Sequence, residues 1–265
     1  MTSHDAIAAA VDRLALAQEK RVPCAPVRDL IGTDDLAAAY AVQQGVVQRR
    51  LAGGAAVVGR KIGATSEAVQ RQLGVDQPDF GYLFDDMDVS SLDRVSMESL
   101  LQPRVEAEVA FRLGADIDPG TEDEITLDLV RSAVDVAIPA LEIVDSRIEG
   151  WDITFTDTVA DQASSGLFVV GDDARSLDGF EPVDVTMSLT INGEERSAGT
   201  GAACLGDPLE ALRWLAVQAY RFGDPLRAGH LILSGALGPF VPFAPGDRVE
   251  ASISGFAPLV AEFAD

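Results

Sequence analysis

Residues 102–111 constrain the fold of this chain more than any other segment. Apolar side chains occupy every second position from 105 to 111, and this period of two predicts a β-strand. Glu106 and Glu108 fall on the alternate positions, so both carboxylates leave the same face of the strand. A third carboxylate, Glu142, lies within a second apolar run, residues 136–144.

Carboxylates gathered among apolar side chains raise one another's pKa unless a cation neutralises them. A hard dication with oxygen ligands, such as Mg²⁺ or Mn²⁺, is the natural partner for such a group. The spacing alone favours a plainer alternative, in which Glu106 and Glu108 line a solvated strand face and Glu142 pairs with an arginine. The metal site is therefore a hypothesis that needs support from the rest of the chain.

Composition limits the class of protein. A chain of 265 residues, 47% of them hydrophobic, suits one large domain or one domain with an added helical segment. A formal net charge of -23 disfavours nucleic acid and anionic membranes as partners. The chain shows no secretory leader and no apolar run of membrane-spanning length, and its two cysteines fit a reducing compartment. We expect a cytoplasmic protein.

The periodicity predicts helices over residues 5–20 and 33–52, which we interpret as an N-terminal helical segment, residues 1–54. Residues 55–265 form the expected catalytic domain. The sequence predicts strands in most of that domain, a hairpin turn at Asn192-Gly193 and an amphipathic helix over 208–222. Strands seldom alternate with helices, so we predict a β-rich α+β fold instead of a doubly wound parallel sheet.

Two segments of the catalytic domain are rich in polar residues and turn formers. Residues 75–83 contain one proline, one glycine and two aspartates, which predicts a loop. Residues 150–166 carry several aspartates and serines and are also expected to form a loop.

Several segments, in this order and spacing, resemble the 2-keto-4-pentenoate hydratase family of the fumarylacetoacetase-like superfamily. The segments that carry the resemblance are 58–63 (VGRKIG), 73–81 (LGVDQPDFG), 102–108 (QPRVEAE), 139–147 (PALEIVDSR), 157–161 (DTVAD), 226–229 (LRAG) and 234–239 (SGALGP).

The resemblance implies a mixed β-roll with an N-terminal helical portion, assembled as a homo-oligomer such as a pentamer or decamer. It also implies Mg²⁺ or Mn²⁺ held by Glu106, Glu108 and Glu142. The implied reaction is the hydration of 2-hydroxypenta-2,4-dienoate, a small 2-oxo acid in its dienol form, to 4-hydroxy-2-oxopentanoate during the meta-cleavage breakdown of aromatic compounds. Association with a sister decarboxylase or a downstream aldolase is a further expectation.

Lys61 is the candidate cationic partner in this chemistry. Lys20 and Lys61 are the only lysines among the 20 basic residues, and Lys61 lies in an apolar, glycine-flanked strand. A surface lysine at a strand end is the alternative. Asp79 is the candidate that orients or deprotonates water, although an ordinary turn aspartate explains it equally well.

Four further residues are candidates for substrate binding. Ser164 is expected to hydrogen-bond the substrate carboxylate, with a loop-capping serine as the alternative. Gly235 and Ala236 are expected to bring backbone N–H groups close to the ligand, because glycine permits close approach. Leu83 completes the set.

The chain departs from the family pattern at two positions. The family's Ala-Asp-Asn-Ala-Ser run has Gln162 in place of asparagine, and Ser234 stands where many relatives have threonine. Both departures leave the identity of the substrate's tail less certain than the type of reaction.

The alternative functions are a 4-oxalocrotonate decarboxylase with the same metal site, a hydratase for a substituted dienoate, and a non-catalytic subunit. Residues 150–157 favour the hydratase.

Overall fold

The computed structural model describes residues 2–264 of the chain. Two long helices at the start of the chain precede the first strand, and the longest later helix follows the eighth strand. The α-helices are α1 (His4–Lys20), α2 (Arg28–Ile31), α3 (Leu36–Ala52), α4 (Glu67–Leu73), α5 (Leu127–Ala133), α6 (Phe155–Ala160) and α7 (Pro208–Arg221).

The strands form two sheets. The strands are β1 (Val57–Gly63), β2 (Asp79–Phe84), β3 (Val95–Ser96), β4 (Arg104–Leu113), β5 (Val134–Val144), β6 (Ser165–Val170), β7 (Thr186–Ile191), β8 (Glu194–Thr200), β9 (Leu231–Leu233), β10 (Val241–Pro242), β11 (Arg248–Ile253) and β12 (Leu259–Ala264). The larger sheet has the order β2-β1-β9-β4-β5-β6, with β10 also paired to β4, and the smaller has the order β3-β12-β11-β7-β8.

The larger sheet mixes antiparallel and parallel pairs: β1 runs parallel to β9, whereas β4 is antiparallel to both β5 and β9. Apolar side chains of both sheets and of α7 share the main hydrophobic core. The amphipathic stripe predicted for the 208–222 helix is buried there, at Leu209, Leu212 and Leu215. The α+β class is confirmed.

Local capping explains where several helices begin. The Ser3 hydroxyl accepts a hydrogen bond from the Ala6 N–H at the start of α1. At the start of α4 the Ser66 hydroxyl accepts the capping bond from the Val69 N–H. In the smaller sheet, Asn192 and Gly193 have positive φ angles of 54° and 82° and join β7 to β8 in the predicted hairpin.

The N-terminal helices share a second hydrophobic core with residues 148–160. This core includes Leu14 of α1, Val42 of α3 and Val159 of α6. The helical segment is thus packed onto the part of the chain that carries the DTVAD motif. A boundary between residues 54 and 55 stays a prediction. None of the helices described in residues 2–264 is long and apolar enough to cross a membrane.

Both predicted loops are wrong in part. Asp79–Phe84 form a strand, β2, that pairs with β1, and all six of its residues are buried. Residues 155–160 form helix α6, whose first turn is closed by hydrogen bonds from the Thr154 backbone and hydroxyl to the Asp157 carboxylate. The errors share a cause: six residues are too few to show a helical period, and tertiary pairing overrides the turn-forming tendency of aspartate and glycine.

Candidate metal centre and active site

Three glutamates from two adjacent strands meet in the larger sheet. Glu106 of β4 lies directly opposite Glu142 of β5, and Glu108 follows two residues along on the same face. One carboxylate oxygen from each of the three lies within 4.8 Å of the others. The carboxylates are almost fully buried, at 4%, 0% and 1% exposure for Glu106, Glu108 and Glu142.

Burial gives this cluster unusual electrostatics. Loss of solvation, followed by the charge of Glu142, raises the pKa of Glu106 to about 8. The same two causes raise the pKa of Glu108 well above its usual range. Burial raises the pKa of Glu142 as well, although the nearby Lys61 ammonium opposes the shift. At neutral pH a nearby cation would stabilise the ionised form of all three carboxylates.

The donor set fits a divalent metal ion. Glu106 Oε2, Glu108 Oε1 and Glu142 Oε2 lack a hydrogen-bond partner within residues 2–264. Buried carboxylate oxygens without donors are costly, and a hard dication satisfies several of them at once. The backbone N–H of Gly235 donates to the remaining oxygen of Glu108 at 2.7 Å, which orients that carboxylate.

Lys61 and Asp79 lie beside the glutamates, on β1 and β2. Lys61 is only 1% exposed, which excludes the surface alternative, and its Nζ lies 2.9 Å from Glu142 Oε1. Burial alone would lower the pKa of Lys61, but the charges of Glu142, Glu106 and Asp79 raise it above its usual range. Lys61 is therefore an ammonium at neutral pH.

Asp79 is buried at 2% exposure and lies opposite Gly63 in the β1–β2 pair. Burial raises the pKa of this carboxyl group, while the Lys61 charge and a hydrogen bond from Thr158 oppose the shift. The Thr158 hydroxyl donates to Asp79 Oδ2 at 2.8 Å. Thr158 has no assigned role in the sequence analysis; its place in the DTVAD motif was the available signal.

Ser164 reaches the same cavity from an unusual turn. Gln162, Ala163 and Ser164 have φ angles of 59°, 51° and 53°, the left-handed region. This conformation costs a non-glycine residue roughly 1–2 kcal/mol. Ser164 is buried, and its hydroxyl oxygen has no hydrogen-bond partner among the residues that the structure describes. The hydroxyl is available to a ligand.

Glycine makes room for this turn. A side chain at Gly81 of β2 would collide with the carbonyl oxygen of Gln162, and one at Gly63 would collide with the carboxylate of Asp79. These two glycines allow β1 and β2 to lie directly against the turn.

Apolar side chains form the other wall of the cavity. Val69, Val144, Trp151 and Phe240 line it together with the polar residues above. The Trp151 and Phe240 rings stack with centroids 5.8 Å apart, and the Arg104 guanidinium lies over both rings. The cavity has a volume of about 20 Å³, which holds roughly one water molecule.

The structure places six of the nine predicted site residues in the cavity lining or the metal cluster: Lys61, Asp79, Ser164, Glu106, Glu108 and Glu142. The backbone N–H of Gly235 donates to Glu108. Ala236 packs in the small apolar group with Val69, Val144 and Phe240. Leu83 lies in the main hydrophobic core and is absent from the cavity lining.

Known proteins resemble this chain over most of its length. Residues 55–264 match the family model described as the C-terminal domain of fumarylacetoacetate hydrolase. A TodF product hydratase of Pseudomonas putida strain F1 is 49% identical over 259 residues, 98% of this chain and 96% of the relative. A 2-keto-4-pentenoate hydratase of Paraburkholderia xenovorans is 50% identical over 254 residues, 96% of this chain and 93% of the relative.

A solved structure extends the comparison to the fold. The 4-oxalocrotonate decarboxylase from Pseudomonas putida G7, complexed with magnesium and adipate, superposes with a TM-score of 0.91 at 31% identity, covering 99% of both chains. The chain belongs to the fumarylacetoacetate hydrolase family. Within that family its nearly full-length similarity at about 50% identity places it among the 2-keto-4-pentenoate hydratases, as the motifs predict.

Proposed function

We propose that this protein hydrates 2-hydroxypenta-2,4-dienoate to 4-hydroxy-2-oxopentanoate. The observation that carries the proposal is the buried cluster of Glu106, Glu108 and Glu142 with Lys61 and Asp79 beside it, in a chain about half identical to hydratases. In this reaction the dienol takes a proton at C5 and loses its hydroxyl proton, which gives an α,β-unsaturated ketone. Water then adds at C4, and a proton is taken up at C3.

The three glutamates are the proposed ligands of Mg²⁺ or Mn²⁺. A bound dication supplies Lewis-acid polarisation of the 2-oxo acid, so that negative charge developing on its oxygen is stabilised. The protein's own contribution is to hold three carboxylates on two neighbouring strands, where their pKa values are raised until a cation arrives.

Lys61 supplies a fixed positive charge beside the cluster. Its buried side chain lies 2.9 Å from Glu142, where an ammonium stabilises an enolate electrostatically. Its contact with Glu142 also fixes that carboxylate in place.

Asp79 is the proposed group that orients water or takes its proton. Its pKa is raised by burial, which makes the carboxylate a better base than an exposed one. The Thr158 hydroxyl holds one oxygen, Oδ2. The other oxygen is left for water. The Ser164 hydroxyl, which has no partner in the described chain, is the proposed donor to the substrate carboxylate.

A 4-oxalocrotonate decarboxylase is the second candidate, because the solved decarboxylase shares the fold almost completely. That reaction uses the same enolate stabilisation and releases CO₂. The chain is 50% identical to a hydratase and 31% identical to this decarboxylase, which favours hydration.

We further propose a cytoplasmic homo-oligomer, with a sister decarboxylase or an aldolase as partner. The two free cysteines fit the reducing conditions of the cytoplasm.

The test is product analysis with the purified protein. It is given 2-hydroxypenta-2,4-dienoate and, separately, 4-oxalocrotonate, each with Mg²⁺ and with EDTA. We expect metal-dependent formation of 4-hydroxy-2-oxopentanoate from the first. Release of CO₂ from the second alone would make the protein a decarboxylase, and no product from either would overturn both assignments.

A further inference from the structure

A second buried ion pair, Arg147 with Asp161, lies outside the metal cluster. Arg147 is 7% exposed and Asp161 is 1% exposed. The Arg147 Nε donates to Asp161 Oδ1, and its backbone N–H donates to Asp161 Oδ2 at 3.1 Å. The Ser146 hydroxyl adds a bond to Oδ2 at 2.9 Å. The carboxylate therefore has donors on both of its oxygens.

The two remaining guanidinium nitrogens of Arg147 donate to backbone carbonyl oxygens instead of to a carboxylate. Arg147 Nη1 donates to the carbonyl of Ser165, and Nη2 donates to the carbonyl of Asp161. These two carbonyls stand immediately after and immediately before the left-handed turn Gln162–Ser164. One arginine therefore binds both ends of the turn through two nitrogens held in a rigid fork, whereas a lysine has one compact ammonium on a flexible stem.

The turn needs such support because three successive non-glycine residues have positive φ. The Gln162 side chain anchors its first residue, donating to the Gln43 carbonyl at 2.8 Å and accepting from the Tyr82 N–H at 3.3 Å. The Ser164 carbonyl accepts from the Asp145 N–H at 2.7 Å. Without its ends held, the segment has more stable conformations at negative φ, in which the Ser164 hydroxyl leaves the cavity.

We propose that Arg147 is a positioning residue that holds the Gln162–Ser164 turn in its left-handed form and so keeps the Ser164 hydroxyl in the cavity. The role of Ser164 in this inference rests on the proposed function. The hydrogen bonds from Arg147 to both ends of the turn, which we call the clamp, are part of the structure itself. Arg147 touches no substrate; it acts through the turn.

The test compares the wild-type protein with Arg147→Lys, which keeps the charge and loses the fork. The probe is oxalate, whose carboxylate and second oxygen resemble the enolate of a 2-oxo acid, measured by calorimetry on the Mn²⁺-loaded protein. We expect the oxalate Kd to rise about tenfold, with the Mn²⁺ Kd changed less than twofold because no ligand lies on the turn. Hydrogen exchange of residues 160–166 should accelerate in the metal-free protein.

Arg131 provides a matched control. It also binds both oxygens of a carboxylate, Glu181, and a backbone carbonyl, that of Leu177, but it lines no part of the cavity. Arg131→Lys should leave the oxalate Kd and the exchange of residues 160–166 as in the wild type.

Ala163→Gly in the Arg147→Lys background separates positioning from general damage. Glycine adopts positive φ without strain, so it favours the left-handed turn even when the clamp is weakened. We expect the double variant to recover at least about half of the lost oxalate affinity on a logarithmic scale. Damage to folding alone would not be reversed by this change.

These experiments can overturn the clamp without overturning the proposed hydratase activity, and the reverse is also true. An unchanged oxalate Kd and unchanged exchange in Arg147→Lys overturn the clamp, even if the wild type is a hydratase. A weakened Kd with rescue supports the clamp, even if the wild type hydrates nothing. Should Arg147→Lys not fold, Ser146→Ala removes one bond to Asp161 and should raise the oxalate Kd about twofold to threefold; no change there also overturns the proposal.

Discussion

The two sides of the candidate site are built in different ways. On one side, Glu106, Glu108 and Glu142 project from the antiparallel strands β4 and β5, whose pairing keeps one register from Arg104 to Arg112. On the other side, Ser164 projects from a turn of three left-handed residues held by distant side chains. The unfavourable energy of the carboxylate side comes from repulsion among buried charges, and that of the turn side comes from backbone strain.

Because of this difference, the two sides should respond differently to ligand binding and to substitution. Repulsion among the glutamates disappears when a cation binds, so the carboxylate side is completed by its ligand. Backbone strain in the turn is opposed by protein contacts, with or without ligand. Substitutions on the first side should therefore act on metal affinity, and those on the second on substrate affinity.

The largest effect is expected for Glu106→Gln. The change removes one carboxylate charge, so Mn²⁺ affinity should fall about 100-fold and turnover with the dienoate more than about 1,000-fold. Calorimetry and product assays measure the two quantities. Glu250→Gln, in β11 of the smaller sheet, is the control and should match the wild type. Full activity in Glu106→Gln would remove Glu106 from the site.

Lys61→Met comes next. The variant keeps the three carboxylates but loses the ammonium 2.9 Å from Glu142, so we expect kcat to fall by about 100-fold. Mn²⁺ binding should persist, because the ligands remain. Steady-state kinetics is the measurement, and Lys20→Met, at the exposed end of α1, is the matched control. A kcat within twofold of the wild type would show that Lys61 serves only to pair with Glu142.

A smaller effect is expected on the turn side. Ser164→Ala removes one hydrogen bond to the substrate carboxylate, and KM should rise about tenfold while the Mn²⁺ Kd stays unchanged. The exposed Ser132→Ala variant is the control. If Ser164→Ala instead weakened Mn²⁺ binding, the separation between the two sides would be wrong.

The smallest expected effect is on stability against pH. In the metal-free protein the pKa of Glu106 is about 8, above its ordinary value of 4.5. Between those values the folded chain keeps a proton that the unfolded chain has lost, so the free energy of unfolding falls as pH rises. We expect the Tm to fall by about 3–5 °C from pH 6 to pH 8.

Excess Mg²⁺ should remove that slope, and so should Glu106→Gln in part, whereas Ser164→Ala should leave it intact. Differential scanning calorimetry at both pH values makes the comparison. A metal-free Tm that rises between pH 6 and pH 8 would show that the carboxylate cluster is not the dominant titrating group.

The sequence by itself determined the carboxylate side. Alternation in residues 105–111 places Glu106 and Glu108 on one strand face, because the period of side chains along a strand is independent of the rest of the fold. The long helices α1, α3 and α7 are likewise visible in their periodicity. The motifs, taken together, also indicated the family.

Tertiary structure alone decided the turn side. The left-handed Gln162–Ser164 turn and the buried strand β2 contradict local tendencies, and contacts distant in sequence hold them, such as Gln43 with Gln162. The position of Leu83 shows the same limit, because the pairing of β2 with β1 places it in the main hydrophobic core. Local sequence reports local geometry, whereas a strained turn exists only when the remainder of the fold outweighs its cost.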